Sequence, residues 1–239
     1  MTRALTLPLL DPADPTRFPD PRQALASPDG LLAFGGDLSP TRLLAAYAQG
    51  IFPWFNADEP ILWWSPDPRC VLDTALLRPN RRLRKLGQRN GWTFTLDHAF
   101  DAVVQACAAP RAQQAGTWII PAMATAYGRL HQLGHAHSVE VWDGERLVGG
   151  LYGIAVGNLF CGESMFSRES DGSKLALMAL AGQLRQWGFP LIDAQVTNPH
   201  LLSLGARELS REHFLAEVAR LVMLPGQPGH WRRALTPPA

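Results

Sequence analysis

The sequence predicts an α/β protein of the α+β type, in which a small N-terminal domain over residues 1–67 precedes a larger domain over residues 68–239. Three observations in the second half of the chain support this fold class. A series of alternating strands predicts a β-meander, a long apolar helix follows it, and a short, continuously apolar strand comes next. This succession is typical of a mixed sheet flanked by helices.

The small domain opens with a segment rich in Pro and Asp, for which we expect irregular structure. Ser39 can cap a helix over residues 41–49, Pro40 suits its first position, and Gly50 can end it. Residues 51–69 are dense in turns and indole rings. This composition indicates a rigid aromatic surface or linker and places a domain boundary near residue 67.

The larger domain is expected to begin with a strand and a basic helix and to continue with helices and strands in alternation. In order, we expect a strand at 69–72, a helix at 79–89, a strand at 93–96 and helices at 98–107 and 121–134. The meander follows at 138–142, 146–156 and 159–166, with a hairpin turn at Asp143-Gly144. An apolar helix at 173–187, a buried strand at 191–196 and two short helices, the last at 211–221, complete the domain.

The composition excludes several classes of protein. A hydrophobic content of 46% excludes a disordered chain, and a net charge of +1 confines any nucleic-acid contact to a local patch. The three cysteines form neither a disulfide framework nor a zinc pattern. His131, His135 and His137 do not predict a metal site either, because Gly134 ends the helix between them. With no signal peptide and no apolar span, we expect a soluble, cytoplasmic protein that needs no metal or cofactor.

A basic run is the first candidate for a functional surface. No acidic residue interrupts the chain between Asp73 and Asp97, and that stretch contains Arg78, Arg81, Arg82, Arg84, Lys85 and Arg89. Such a cluster suits phosphates, although a solvated helix face is the alternative interpretation. Tryptophans in turn-rich segments could stack on bases beside this patch, although each alone is more typical of a core.

Polar residues on two apolar strands are the second candidate. Glu163 lies among small and apolar residues, where a charge is costly without a partner. Asp193 and Gln195 are two residues apart on a strand that is otherwise apolar, so we expect their side chains on the same face. Two interpretations of these residues remain open: a functional site, or a hydrogen-bonded pair with a structural role. Cys161 lacks a signature that pairs it with a base, and no phosphate-binding GxxxxGK[ST] loop is present.

Seven sequence blocks occur in order at 30–39, 50–55, 63–69, 116–119, 133–142, 160–168 and 191–195. Together they resemble the leucyl/phenylalanyl-tRNA–protein transferase family. The resemblance implies a cytoplasmic bacterial enzyme that moves Leu, Phe or, less readily, Met from aminoacyl-tRNA to proteins beginning with Arg or Lys. The product would be marked for N-degron proteolysis. A larger domain similar to the N-acetyltransferase (GNAT) fold, a monomeric protein and no membrane are further implications.

The resemblance also implies roles for particular residues. Gln195 would position the attacking amine, Asp193 would orient Gln195 or carry charge towards the acceptor, and Glu163 is a candidate partner for the acceptor's cation. Trp54 and Trp118 would hold the terminal adenosine, and the basic helix would contact the acceptor stem. The apolar donor pocket would comprise Leu151, Phe160, Leu180 and Ile192.

Two other functions remain open from the sequence. An acetyl-CoA-dependent N-acetyltransferase would share the fold, but its phosphate-binding turn would here contain Glu169 and Asp171, which repel phosphate. A non-catalytic tRNA-binding module would leave the polar residues on the apolar strand unexplained.

Overall fold

The computed structural model describes residues 7–89, 91–109 and 118–238, with the side chains of Gln88 and Arg89 also outside the described part. A small mixed sheet forms the N-terminal domain, in the order β1-β2-β4-β3. Strands β1 and β2 are parallel, and the other pairs are antiparallel. The bounds are β1 Leu9–Leu10, β2 Leu31–Gly35, β3 Phe52–Pro53 and β4 Leu62–Trp64, with helix α1 at Pro40–Tyr47.

Helix α1 begins as the sequence predicts. The Ser39 side chain accepts a hydrogen bond from the backbone N–H of Arg42, and Pro40 occupies the first turn. The segment from residue 51 is not a linker, because Phe52, Pro53 and Trp63 pair within the small sheet. We propose a domain boundary at residue 67, since the small sheet ends at Trp64 and the large sheet begins at Arg69.

The larger domain is an eight-stranded mixed sheet in the order β11-β5-β10-β9-β8-β7-β6-β12. Its strands are β5 Arg69–Asp73, β6 Thr93–Leu96, β7 Ala136–Asp143, β8 Arg146–Val156, β9 Leu159–Ser167, β10 Leu191–Gln195, β11 Arg207–Leu209 and β12 Arg233–Leu235. Its helices are α2 Arg81–Arg89, α3 Phe100–Ala108, α4 Pro121–Gln132, α5 Gly172–Gln186, α6 Pro199–Ser203 and α7 Arg211–Leu221. The α/β prediction is confirmed, with the predicted meander at β7-β8-β9.

Two apolar layers cover the two faces of the large sheet. One layer joins α3, α4 and α7 to the small domain, so Leu43 and Phe100 belong to the same continuous core. The other contains the buried face of α5 together with Trp231 from the C-terminal segment. That segment, for which the sequence predicted no helix or strand, supplies strand β12 at the edge of the sheet.

Helix α5 connects β9 to β10, and those two strands are parallel. A parallel connection needs a crossover of this kind. The pairing runs from Leu191 opposite Leu159 to Asp193 opposite Cys161, where it stops. Strand β9 continues for six more residues alongside β8 alone. The two neighbouring strands therefore diverge near the middle of the sheet.

The described residues contain no helix long and apolar enough to cross a membrane.

Candidate active site

A cleft of about 930 Å³ opens where β9 and β10 diverge. Its size lies within the usual range for sites that bind small molecules. Residues 162–168, which end β9 and follow it, and residues 194–198, which end β10 and follow it, form its walls. The structure brings into this cleft eight residues that the sequence analysis singled out: Trp54, Trp118, Leu151, Phe160, Glu163, Leu180, Ile192 and Gln195.

The floor of the cleft is apolar. Leu151 and Phe160 come from the meander, Leu180 from α5 and Ile192 from β10, and all four are almost fully buried. Because they lie on three separate parts of the chain, the packed sheet and α5 fix their positions. An apolar group of a ligand can fill this floor, and a difference of one methylene is worth about 1–3 kcal/mol there.

Two indole rings stand at the mouth of the cleft. Trp54 is 45% exposed and lies 5.7 Å from Trp64, measured between ring centroids. Trp118 packs edge-on against Tyr127, with 6.4 Å between ring centroids. The exposed Trp54 ring and the half-buried Trp118 ring both line the cleft and are suited to stacking on a flat heterocycle such as a base. One ring belongs to the small domain and the other to the large one.

Gln195 is held in an unusual backbone conformation at the end of β10. The register against β5 shifts between Asp193 and Gln195, and Gln195 has a φ of 56°, in the left-handed region. The expectation that Asp193 and Gln195 share a face through regular alternation is therefore wrong, because this bulge re-aims the second side chain. Strained residues of this kind cluster at functional sites.

The Gln195 carboxamide faces the cleft without its full set of partners. Its Nε2 is buried and has no hydrogen-bond partner among the described residues, and the same is true of the Tyr152 hydroxyl, which also lines the cleft. Buried polar groups are normally satisfied. Two groups of the cleft lining therefore keep hydrogen-bonding capacity that no described residue uses.

Asp193 lies behind the cleft and not in it. Its carboxylate accepts bonds from Arg69 Nε at 2.8 Å and from Arg69 Nη2 at 2.7 Å, with both side chains 1% exposed. The same carboxylate accepts the backbone N–H of Gln195 at 3.0 Å. The expectation that Asp193 could carry charge towards an acceptor is therefore wrong, since Arg69 neutralises it. Its other predicted role, orienting Gln195, fits this contact.

Arg69 joins the site to two distant parts of the chain. Its guanidinium lies between the rings of Phe52 and Phe214, 4.8 Å and 4.4 Å from their centroids. Its third nitrogen, Nη1, donates to the Gly50 carbonyl at 3.1 Å. The small domain and α7 therefore both fix the arginine that holds Asp193, and through Asp193 they fix Gln195.

Glu163 lies within the cleft and is held by two tyrosines. Tyr47 donates to one carboxylate oxygen at 2.8 Å and Tyr127 donates to the other at 2.7 Å. Burial raises the pKa of the Glu163 carboxyl to about 7, although both hydrogen bonds act to lower it. Burial and the adjacent Glu163 raise the pKa of both phenols, so they remain donors. Glu163 can thus exchange a proton near neutral pH.

The basic run lies on a different surface. Leu83 of α2 is buried against α5, while the side chains of Arg81, Arg84 and Lys85 are exposed. Arg82 is paired with Asp171 at 2.6 Å. Arg78 precedes the helix and donates to backbone carbonyls, including that of Leu77. Arg89 ends the helix, but its side chain lies outside the described residues. The five basic residues whose side chains are described do not line the cleft.

Sequence reasoning missed four residues of this site. Arg69, Tyr47, Tyr127 and Tyr152 were not singled out, although Arg69 was quoted within a family block. A signal existed for Arg69, because the three residues that follow it in the strand are apolar, so that its charge needs a buried partner. No comparable signal marks the tyrosines, which occur at ordinary core positions of two helices and a strand.

Comparisons with known proteins agree over most of the chain. A family model described as "Leucyl/phenylalanyl-tRNA protein transferase" matches residues 71–219, and one described as the N-terminal domain of the same family matches residues 36–67. A leucyl/phenylalanyl-tRNA–protein transferase of Xanthomonas axonopodis pv. citri (strain 306) is 60% identical over 227 residues, covering 94% of this chain and 91% of that protein. The one from Shewanella denitrificans is 60% identical over 204 residues, covering 85% and 87%.

Similarity to solved structures is more distant. The structure of L-PGS from Bacillus licheniformis matches with a TM-score of 0.38 and 11% identity, covering 70% of this chain and 53% of that one. The expected likeness of the larger domain to the N-acetyltransferase fold stays a prediction.

Proposed function

The chain belongs to the leucyl/phenylalanyl-tRNA–protein transferase family, and we propose that it moves Leu, Phe or, less readily, Met to the N-terminal Arg or Lys of acceptor proteins. As a member of this family it is an enzyme that uses aminoacyl-tRNA. The proposal extends to its biological role. The new N-terminus marks the acceptor for N-degron proteolysis, and the enzyme acts in the cytoplasm as a monomer.

The reaction needs positioning more than activation. An aminoacyl-tRNA ester converts to an amide without further energy input, so ATP is not required. The attacking α-amine has an ordinary pKa of about 8, so part of it is neutral at pH 7. Holding the amine against the ester carbonyl supplies most of the rate. The amine forms the new C–N bond while the C–O bond to the tRNA ribose breaks, and the proton that the amine loses ends on the departing ribose oxygen.

One observation carries the proposal: an unsatisfied carboxamide lies above an apolar floor. The donor side chain occupies the floor formed by Leu151, Phe160, Leu180 and Ile192, which suits Leu and Phe. The ester then lies near Gln195. Its amide oxygen accepts a hydrogen bond from the attacking amine, and the unpartnered Nε2 donates to the ester carbonyl oxygen. The Asp193 contact fixes the backbone of Gln195 in this position.

The tRNA is held outside the donor pocket. Trp54 and Trp118 stack on the terminal adenosine at the mouth of the cleft. The exposed cations of α2, together with Arg78, Arg82 and Arg89, contact the acceptor-stem backbone, where a dense positive surface favours phosphate. In this arrangement the aromatic rings contact the base, and the basic side chains contact the phosphates of the tRNA.

The activity assay combines three charged tRNAs with three peptides. Leu-, Phe- or Met-tRNA is offered with peptides that begin with Arg, Lys or Ala, and products are identified by mass. We expect one added residue on the Arg and Lys peptides, with Leu and Phe faster than Met. Transfer onto the Ala peptide at the same rate would contradict the proposed acceptor, and acetyl-CoA turnover without peptide extension would favour the N-acetyltransferase alternative.

Glu163 is proposed to bind the cationic side chain of the acceptor, which makes transfer depend on pH. A carboxyl whose pKa is raised to about 7 is neutral below that pH and becomes an anion above it, so only the higher-pH form pairs with Arg. The acceptor amine must also lose a proton. Below pH 7 we therefore expect log kcat/KM for an Arg peptide to rise with a slope of about two.

The substitution Glu163→Gln tests this assignment, because glutamine keeps the volume and an acceptor oxygen but cannot ionise. We expect the slope to fall to about one, the contribution of the amine alone. The thermal unfolding midpoint serves as the control for folding. An unchanged slope of about two would assign the second ionisation to another group.

A further inference from the structure

A cluster of two histidines and an aspartate lies beside the C-terminal segment. Ligand atoms of Asp97, His131 and His230 all fall within 4.8 Å of one another. Asp97 follows β6, His131 lies in the last turn of α4, and His230 precedes the buried Trp231. The cleft lining given above contains none of the three. His135 and His137, the histidines nearest to His131 in sequence, are not members of this cluster.

We propose that these three side chains form a binding site for a divalent transition-metal ion of the Zn²⁺ class, which fastens the C-terminal segment to the body of the protein. Two imidazoles and a carboxylate are the ligand types that such ions take. The fourth position is open to water. Zinc–ligand bonds of about 2.0–2.2 Å place ligand atoms roughly 3.3 Å apart. The exposed His230 side chain can rotate to close that gap.

The tautomer of His131 is already the one that a metal needs. Its Nδ1 lies 2.8 Å from the carbonyl oxygen of Ala136, which can only accept a hydrogen bond. Nδ1 therefore carries the proton, and Nε2 presents a lone pair. The ring also stacks on Phe100, with 4.2 Å between centroids and 3° between planes. Metal-binding histidines typically donate their other N–H to a carbonyl or carboxylate in this way.

Asp97 is a buried carboxylate whose charge has no fixed positive partner. It accepts hydrogen bonds from the backbone N–H groups of Ser138 at 2.9 Å and Trp231 at 2.7 Å, and from Nδ1 of His137 at 2.8 Å. Within the described part of the chain, no Lys or Arg forms an ion pair with it. Three hydrogen bonds orient the group and leave acceptor capacity for an ion. A divalent cation supplies the missing charge.

The backbone on both sides of His230 is fixed before any ion binds. A Cβ atom built on Gly134 would lie 2.7 Å from the Cα of Gly229, so the backbone after α4 and the backbone before His230 are in close contact. On the other side, the N–H of Trp231 is bonded to Asp97. His230 therefore has little backbone freedom, and only its side chain must be ordered to complete the site.

Thermal unfolding of the untagged, full-length protein, stripped with a chelator, tests the site. At a Zn²⁺ concentration about 100 times Kd, we expect the unfolding midpoint to rise by roughly 5–10 °C. The substitution His230→Ala removes an exposed ligand and should abolish the rise while leaving the metal-free midpoint unchanged. The substitution His135→Ala removes a neighbouring histidine outside the cluster and should keep the rise.

Co²⁺ titration gives an independent readout, because visible absorption reports the ligands directly. We expect a saturable, tetrahedral-type spectrum in the wild-type and His135→Ala proteins and its loss in His230→Ala. An equal Zn²⁺ shift in wild-type and His230→Ala proteins, or no shift and no Co²⁺ spectrum in the wild type, would overturn the proposal.

Discussion

Replacement of Arg69 by Met is expected to lower the free energy of unfolding by about 3–5 kcal/mol and to abolish transfer. The substitution leaves the Asp193 carboxylate 1% exposed without its cation. It also removes the bond to the Gly50 carbonyl and the contacts with two phenylalanine rings. Urea unfolding followed by circular dichroism measures the first effect, and peptide extension by the folded fraction measures the second.

Two further variants separate the charge from the packing. The double variant Arg69→Met/Asp193→Leu should regain most of the lost stability, because apolar groups can replace a buried ion pair at little net cost. It should remain inactive, since the backbone N–H of Gln195 loses its acceptor. Arg220→Ala breaks an exposed pair with Glu217 and should change stability by less than about 1 kcal/mol. A wild-type urea midpoint for Arg69→Met would show that the pair does not hold the fold.

Replacement of Gln195 by Gly is expected to lower kcat for transfer by roughly 100- to 1,000-fold, the usual cost of losing one preorganised donor at a reacting carbonyl. Glycine is the informative choice because the backbone has a φ of 56° there. It accepts that conformation without strain, whereas alanine would combine strain with loss of the amide. The measurement is single-turnover transfer of labelled Leu onto an Arg peptide, with tRNA affinity measured in parallel.

Asparagine at position 195 is the matched control. It tolerates the left-handed region and keeps a carboxamide, but one methylene shorter. We expect Gln195→Asn to retain more activity than Gln195→Gly, and both to bind aminoacyl-tRNA like the wild type. Near-normal transfer by Gln195→Gly would remove the carboxamide from the chemistry, and a selective loss of tRNA affinity would make it a binding residue instead.

Local sequence rules predicted those helix ends and turns whose conformation depends only on neighbouring residues. Ser39 and Pro40 specify a helix start through one cap and one fixed backbone angle, and Asp143-Gly144 specifies a hairpin. Alternating apolar residues likewise predict the meander. The apolar residues of the cleft floor were identified through family resemblance, because many core positions share their chemistry and only tertiary structure gathers them.

The missed features all depend on contacts between distant segments. Arg69 and Asp193 are 124 positions apart, and Tyr47 and Glu163 are 116 apart. Strand β12 exists because β6 offers it an edge and Trp231 anchors it in the core. The bulge before Gln195 broke a periodicity rule that assumes a regular strand. Sequence patterns indicate which environment suits a residue, but they do not identify its contact partner in the folded protein.

The shared carboxylate at Glu163 has a mechanical consequence. One of its tyrosines belongs to α1 of the small domain and the other to α4 of the large domain, and one continuous core joins the two. Swinging the small domain away as a hinged lid would break the hydrogen bond from Tyr47 to Glu163 and expose buried apolar surface, and both changes cost free energy. We therefore expect the cleft to keep its shape when substrates bind, so that selection among donors depends on their fit to a preformed pocket.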